Sequence, residues 1–165
     1  MYIKWENVGN LLITNFSTNF MLIGEYIHTI DEKSRISLPA KFRQEMGKKV
    51  VMTRGLDKCL FIFTNKEWKK ISADLSAMPW LKADTRAFNR RIFGGATEID
   101  VDSIGRMLIP EFLKLEADLT GASKAVLVGV DNRVELWNEK IWSEYRNEAE
   151  KKSDEIAEKL GTAGK

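Results

Sequence analysis

The chain has 165 residues, of which 44% are hydrophobic and 30% are charged, and its formal net charge is +2 at pH 7. This length allows one domain, or two very small ones, with a buried core, and no run approaches the roughly 20 apolar residues of a membrane span. One cysteine, Cys59, and one histidine, His28, exclude an internal disulfide framework, the usual metal clusters and a histidine-based triad with a separate second base. The acidic residues show no pairing that demands acid and base roles, so the sequence predicts neither an enzyme nor a cofactor.

The first 20 residues are rich in Asn and Thr and have no counterpart later in the chain. Polar residues interrupt their apolar runs and no small-residue cleavage site follows, which argues against a signal peptide. We expect residues 1–20 to be a disordered extension upstream of the true start, which we place at Met21.

The ordered part of the chain begins with a strand, a turn, a second strand and a short helix. A loose alternation of apolar residues predicts a strand over residues 23–30, and a polar turn follows Asp31, whose side chain can cap the backbone N–H groups of that turn. The next strand, residues 36–38, ends at Pro39, which offers no N–H to a sheet but suits the first position of a helix. We expect this helix to end at Gly47.

A hairpin and a helical connection come next. Apolar runs at residues 50–53 and 59–63 flank a polar turn and predict two paired strands. Over residues 65–92 apolar side chains recur every three or four positions, and Pro79 divides this stretch into two short helices. The glycines at residues 94–95 then start the second unit.

The second unit repeats the order of the first. The expected elements are strands at 97–101 and 107–109, a helix from Pro110, strands at 125–130 and 134–137, and a last helix capped by Asn138. Apolar residues on one face predict that this helix continues to Leu160. The Trp and Phe side chains of both units fall on the apolar side of their elements, so we expect them to pack in the core and against helices.

The similarity between the two units is an internal sequence repeat with an offset of 71 residues. An aspartate, an arginine four residues later and a proline four residues after that occur twice, as Asp31, Arg35 and Pro39 and as Asp102, Arg106 and Pro110. Further downstream the repeat continues with an offset of 74, which relates Trp68 to Trp142.

The two copies differ in charge. Residues 31–54 contain seven basic and three acidic residues, a balance of +4, whereas residues 102–128 contain three basic and four acidic residues, a balance of −1. The first repeat is therefore the stronger candidate for an anionic partner.

Arg35 and Arg106 follow the two turns, where a guanidinium can contact phosphates or pair bidentately with guanine O6 and N7. The alternative is an intramolecular pair, because Asp31 and Asp102 lie four residues earlier and could each hold an arginine across its own turn. For either arginine in isolation, the intramolecular pair is the favoured interpretation.

The paired D-x-x-x-R motifs, the run Leu-Pro-Ala-Lys-Phe-Arg, and Val-Leu-Val-Gly-Val followed by Val-Glu-Leu-Trp resemble the MraZ family of bacterial transcriptional regulators. Members carry two AbrB-like (SpoVT/AbrB) swapped-hairpin repeats, and the resemblance extends from about Met21 to the helix after Trp142. It implies an α+β fold, a small pseudo-twofold β-barrel with flanking short helices. We divide the chain into repeats at 21–64 and 94–137, a helical connector at 65–93 and a C-terminal helix and tail at 138–165.

One position departs from the family pattern. Members usually have Gly before the first arginine, where this chain has Ser34, while Gly105 keeps the pattern in the second copy. If the turn needs a positive φ, serine carries a strain of about 1 kcal/mol.

The resemblance implies a sequence-specific DNA-binding regulator of its own division and cell-wall gene cluster, acting through tandem TGGG-type repeats. It also implies a ring-like homo-oligomer that is cytoplasmic and nucleoid-associated. The family's DNA-contacting arginines correspond to Arg35 and Arg106, and this, with the repetition and the basic first copy, outweighs the intramolecular alternative. Lys33, Lys41 and Arg43 are expected to support them with phosphate contacts, and a solvated surface charge is the alternative for each. The alternative function is a ring-forming interaction scaffold or antitoxin-like partner without base readout.

The genetic code links residues 1–20 to such repeats. Trp5 and Glu6 can only be encoded as TGG-GAR, which forces a TGGG box, and a GTG codon for Val8 would start a second box 10 nucleotides later. That spacing is about one turn of B-DNA. We therefore interpret this segment as translated operator DNA.

Overall fold

The computed structural model describes residues 21–162, and the predicted extension at 1–20 lies outside the described residues. The strands are β1 Leu22–Thr29, β2 Arg35–Ser37, β3 Lys49–Arg54, β4 Leu60–Thr64, β5 Thr97–Asp100, β6 Arg106–Leu108, β7 Lys124–Asp131 and β8 Arg133–Asn138. The helices are α1 Ala40–Met46, α2 Asn65–Ala77, α3 Ala83–Gly95, α4 Glu111–Glu116, α5 Glu139–Lys151 and α6 Ser153–Thr162. Within this range no helix is long and apolar enough to cross a membrane.

The predicted strands and helices of both repeats are present, with ends that differ by one or two residues. Pro39 and Pro110 each precede a short helix, because a proline ends a strand and suits a helix start. Asn138 caps α5, since its Oδ1 accepts from the backbone N–H groups of Lys140 and Ile141 at 2.9 and 3.3 Å.

Two expectations were wrong. The last helix is divided, because Lys152 leaves the helical conformation with φ −110° and ψ 6° and α6 begins at the next residue. Trp80 is 71% exposed and Leu81 is also exposed, although both were expected on apolar packing surfaces. They lie in the connection between α2 and α3, where a helical period no longer directs a side chain toward the core.

The two repeats exchange strands within one six-stranded antiparallel sheet of order β1-β7-β8-β4-β3-β5. The first strand of each repeat pairs with the third strand of the other, β1 with β7 and β5 with β3. The two hairpins meet where β4 pairs with β8. If the strands of one repeat are exchanged for the equivalent strands of the other, the same strand order is obtained, read from the opposite edge of the sheet. The division of the chain into 21–64, 65–93, 94–137 and 138–165 stays a prediction.

The remaining strands, β2 and β6, form a separate two-stranded antiparallel ribbon. Isolated bridges join Ile30 to Ile36 and Val101 to Met107, so the ribbon continues the first strand of each repeat. The six-stranded sheet is not closed into a barrel. The antiparallel α+β architecture with short helices is thus observed, and the barrel is not confirmed.

A single large hydrophobic cluster joins the repeats. Its fully buried side chains come from strands and helices of both copies, including Ile36, Phe42, Leu60, Met107, Leu113, Leu127 and Leu136. Each such side chain contributes roughly 1.5–3 kcal/mol when it is removed from water. Because this cluster draws its side chains from both repeats, the two copies share one core, and the ribbon packs on it through Ile36 and Met107.

Candidate nucleic-acid interface

The first turn is closed by the Asp31 carboxylate. Oδ1 accepts hydrogen bonds from the backbone N–H groups of Lys33 and Arg35, both at 2.9 Å. Oδ2 accepts from Nε of Arg35 at 2.8 Å, and Nη2 lies 2.7 Å from the same oxygen. One carboxylate therefore fixes both the turn and the direction of the arginine side chain.

The second turn has the same arrangement. Oδ1 of Asp102 accepts from the backbone N–H groups of Ile104 and Arg106 at 3.1 and 2.8 Å, and Oδ2 accepts from Nε of Arg106 at 2.7 Å. The repeated sequence motif thus corresponds to a repeated local structure.

These hydrogen bonds keep both carboxyls ionised. The pKa of Asp31 is lowered mainly by the side-chain hydrogen bond from Arg35, and the pKa of Asp102 is lowered mainly by the backbone N–H of Arg106. A charge-assisted pair of this kind orients a guanidinium strongly. Each arginine is therefore held in place at neutral pH before any partner binds.

The ion pairs leave part of each arginine side chain accessible. The side chains of Arg35 and Arg106 are 30% and 31% exposed. Within residues 21–162, Nη1 of each arginine has no hydrogen-bond acceptor. The intramolecular pair and a contact with an external acceptor are therefore compatible, because a guanidinium carries five donors.

Both arginines lie on the outer face of the ribbon. Ile36 pairs with Met107 at the ribbon centre, and both side chains are fully buried on the inner face. Strand side chains alternate between faces, so the residues on either side of this central pair point outward. The outward pairs are Arg35 with Leu108, and Ser37 with Arg106.

The hydrogen-bond pattern brings the members of each outward pair close together. The Ile109 N–H donates to the Ser34 carbonyl at 2.9 Å, and the Leu38 N–H donates to the Gly105 carbonyl at 2.8 Å. Both outward pairs are therefore of the non-hydrogen-bonded type, in which Cα atoms lie about 4.5 Å apart and side chains approach most closely. Diagonal neighbours on one face, such as the two arginines, are about 7–8 Å apart.

The residue before each arginine has a positive φ, which is 59° at Ser34 and 83° at Gly105. Ser34 therefore has the positive φ at which a serine is strained. Lys114 donates from Nζ to the Ser34 Oγ at 2.8 Å and so gives this hydroxyl a partner from the other repeat.

A different residue covers the second turn. Arg43 donates from Nε to the Leu38 carbonyl at 2.9 Å, and its side chain lies directly on Gly105. A Cβ atom on Gly105 would contact Nε of Arg43 and lie 2.6 Å from its Cδ, which is too close. Arg43 and Lys114 are equivalent under the offset of 71, so each repeat covers the other repeat's turn.

The structure brings only some of the predicted residues together. Lys33 is exposed on the same turn as Arg35, whereas Lys41 is exposed on α1. Arg43 also lies on α1 and uses Nε within the protein. In the second repeat Ile104 corresponds to Lys33 and Phe112 corresponds to Lys41, and both of these residues are exposed and apolar.

Sequence reasoning missed three residues of this surface, which are Ser37, Leu108 and Lys114. The repeat contained a signal for Lys114, because adding 71 to the predicted Arg43 gives Lys114. Only the pairing of β2 with β6, however, places Leu108 beside Arg35.

The chemistry of this surface is recognition of an anion or of hydrogen-bond acceptors. A two-stranded antiparallel ribbon fits the major groove of B-DNA, where arginine pairs with guanine. Among residues 21–162 no group of three or more His, Cys, Asp or Glu side chains could hold a metal ion. Burial raises the pKa of the Cys59 thiol, whose Sγ donates to the Leu56 carbonyl at 3.1 Å, so this thiol is not an activated nucleophile.

Comparison with known proteins gives consistent matches. The family model described as MraZ protein matches the chain twice, over residues 21–91 and 92–162. A protein of Thermoanaerobacter sp. (strain X514) named transcriptional regulator MraZ is 46% identical over 144 residues, which cover 85% of this chain and 96% of that protein. Relatives of the same name are 46% identical over 140 residues in Carboxydothermus hydrogenoformans, with the same coverage, and 44% identical over 144 residues in Desulfitobacterium hafniense, covering 87% of this chain and 99% of that protein.

Proposed function

The chain belongs to the MraZ family of transcriptional regulators, and from this premise we propose that it reads tandem TGGG-type repeats and regulates its own division and cell-wall gene cluster. It is a DNA-binding regulator and not an enzyme. The observation that carries the proposal is the outer face of the ribbon, where two arginines held by aspartates are diagonal neighbours.

Base readout is assigned to Arg35 and Arg106. Each is oriented by its own aspartate and keeps Nη1 for an outside acceptor. The most common specific contact of arginine in the major groove is with guanine O6 and N7. The separation of about 7–8 Å between diagonal neighbours is close to two base-pair steps, so both arginines can reach one guanine run.

Phosphate contacts are assigned to the basic first repeat. Lys33 extends from the turn of Arg35, and Lys41 and Arg43 extend from α1. Such contacts position a protein on the duplex and carry no sequence information. For Arg43 the contact would use Nη1 and Nη2, because Nε donates to the Leu38 carbonyl.

Assembly into a closed homo-oligomer is a further part of the proposal. Apolar side chains remain exposed on the helices and their connection, namely Trp80, Leu81, Phe88, Phe112, Leu115 and Leu160. Surfaces of this kind mark sites of association. Neighbouring subunits of a ring could then read boxes one helical turn apart on a single DNA face, as expected of a cytoplasmic, nucleoid-associated regulator.

A binding titration tests the proposal. The probe is a short duplex with two TGGG boxes 10 base pairs apart, the spacing suggested by the codons of residues 5–9, and the reference is the same duplex with scrambled boxes. We expect tight binding to the first duplex alone, with an affinity that falls steeply with salt because Lys and Arg release condensed counterions from DNA.

Two variants give the matched comparison. Arg35→Ala removes a proposed base contact, and Arg90→Ala removes an exposed arginine of α3 with the same change in charge. The first variant should lose preference for the boxes and the second should keep it. Equal affinity of the wild-type protein for both duplexes would contradict the proposed base readout, and the absence of salt-dependent binding to either duplex would favour an interaction scaffold.

A further inference from the structure

Leu108 is an apolar residue on the otherwise polar outer face of the ribbon. It is 52% exposed and lies in β6 on the outer face of the ribbon, with the two arginines and Ser37. A single exposed leucine on a protein surface is ordinary. Its place is less ordinary, because it is directly opposite Arg35 in a non-hydrogen-bonded pair, where two side chains approach most closely.

Leu108 makes the two outward pairs chemically different. The pair of Arg35 and Leu108 combines a guanidinium with an isobutyl group, whereas the pair of Arg106 and Ser37 combines a guanidinium with a hydroxyl. The backbone of the ribbon is nearly symmetric, but its outer face is not. An asymmetric face is suited to a site that is not a palindrome, since operator symmetry mirrors the symmetry of the protein surface that reads it.

The chemistry of the major groove indicates what the apolar half would contact. Thymine presents a C5-methyl group there, next to its O4 acceptor, whereas at the corresponding place the purines present the N7 acceptor and cytosine presents a C5–H without a methyl group. A leucine against a purine N7 would leave that acceptor without a partner, at a cost in free energy, and a leucine against cytosine would bury no methyl group. A leucine beside a guanine-reading arginine therefore fits a thymine adjacent to guanine.

We propose that Leu108 is a specificity-determining residue that contacts the C5-methyl group of the thymine in each TGGG box, while Arg35 beside it reads a neighbouring guanine. This inference rests on the proposed function and names the base that the second half of the ribbon selects. Ser37, at the equivalent position of the first repeat, has no comparable apolar group and does not contact that methyl.

The test removes the methyl group from the DNA and the leucine from the protein. The probe is the duplex with two TGGG boxes, prepared with thymine or with deoxyuridine at the first position of both boxes. A buried methyl group contributes about 0.8 kcal/mol, so deoxyuridine should weaken wild-type binding roughly fourfold per box. Leu108→Ala should bind the two duplexes equally, and the matched control Ser37→Ala should keep the wild-type preference for thymine.

Deoxyuridine at a thymine outside the boxes is the DNA control and should leave every affinity unchanged. Far-UV circular dichroism verifies the fold of Leu108→Ala, which changes only an exposed side chain. The inference is overturned if wild-type protein requires TGGG but ignores the deoxyuridine substitution, and the proposed function then stands. It is also overturned if Leu108→Ala keeps the preference for thymine, or if the variant changes the number of subunits and not the preference. Wild-type binding that does not depend on TGGG contradicts the proposed function itself.

Discussion

The two turns hold their arginines through the same hydrogen bonds, but the positions around those arginines differ between the repeats. The aspartate, the arginine and the proline are shared, and with them the backbone path. The variable positions are polar or basic in the first repeat, where they are Lys33, Ser34, Ser37 and Lys41. The equivalent positions of the second repeat are apolar or glycine, in the same order Ile104, Gly105, Leu108 and Phe112.

This difference separates what the fold requires from what recognition can use. Each aspartate closes its turn with one carboxylate oxygen and pairs with the arginine through the other, which a neutral asparagine cannot do, and this aspartate appears in both copies. Outward side chains make no such demand on the fold and are open to different chemistry in each copy. The result is one symmetric scaffold with a basic half and an apolar half.

The largest effect is expected from the shared arginines. Arg35→Ala and Arg106→Ala should each weaken binding to the TGGG duplex by about 1–3 kcal/mol, because each removes a guanine contact. Fluorescence anisotropy measures the affinities, and thermal denaturation should give a nearly unchanged Tm. If only one variant lost affinity, the two halves would not share the readout.

The next effect concerns the residue before each arginine. Gly105→Ser should lower the free energy of unfolding by about 2–3 kcal/mol, because it puts a side chain at a positive φ and displaces Arg43 from the turn. Ser34→Gly should change stability by less than about 1 kcal/mol, since the relieved strain offsets the lost hydrogen bond to Lys114. Urea denaturation distinguishes the two.

A double variant sharpens this contrast. Arg43→Lys combined with Gly105→Ser reproduces at the second turn the residues that cover the first, so Arg43→Lys should recover at least half of the loss caused by Gly105→Ser. Additive losses in the double variant would show that Arg43 is not what excludes serine there.

A smaller effect is expected at Lys114. Lys114→Met removes the donor to Ser34 Oγ and should cost about 1 kcal/mol, with little from the exposed pair with Glu111. In a Ser34→Gly background the same substitution should cost less, because no hydroxyl is left without a partner. A thermodynamic cycle from urea denaturation measures the difference, and equal costs in both backgrounds would contradict the coupling.

The basic half should differ from the apolar half in salt dependence. Lys33→Gln and Lys41→Gln should each reduce the slope of log affinity against log salt by about 1, without changing the preference for TGGG over a scrambled box. Ile104→Lys, at the position equivalent to Lys33, should increase the slope. Unchanged slopes would identify these lysines as solvated surface charges.

The smallest effect is the response of the shared aspartates to acid. Both have a lowered pKa in the folded protein, so their contribution to stability is complete above the unfolded value of about 3.9 and is lost as the pH falls through the folded value. Between pH 5 and pH 2, wild-type protein should lose more stability than the double variant Asp31→Asn with Asp102→Asn. Asp74→Asn, an exposed change on α2, should follow the wild type.

Local features of the fold were open to prediction because they depend on nearby residues. Pro39 and Pro110 marked the ends of strands and the starts of helices through their fixed φ and missing N–H. Strain at Ser34 was predicted on the condition that the turn needs a positive φ, and Ser34 has one. The broken last helix was missed, because its apolar stripe continues across Lys152 as if no break occurred.

The sequence alone determined the repeat, the turns with their aspartates and arginines, and the excess of basic residues in the first copy. Only the tertiary structure decided that the repeats exchange strands, that Arg43 and Lys114 cover each other's turns, and that Leu108 stands beside Arg35. The reason is the range of the interactions. A turn or a helix start depends on residues a few positions apart, whereas these contacts join residues of different repeats, which only the shared core brings together.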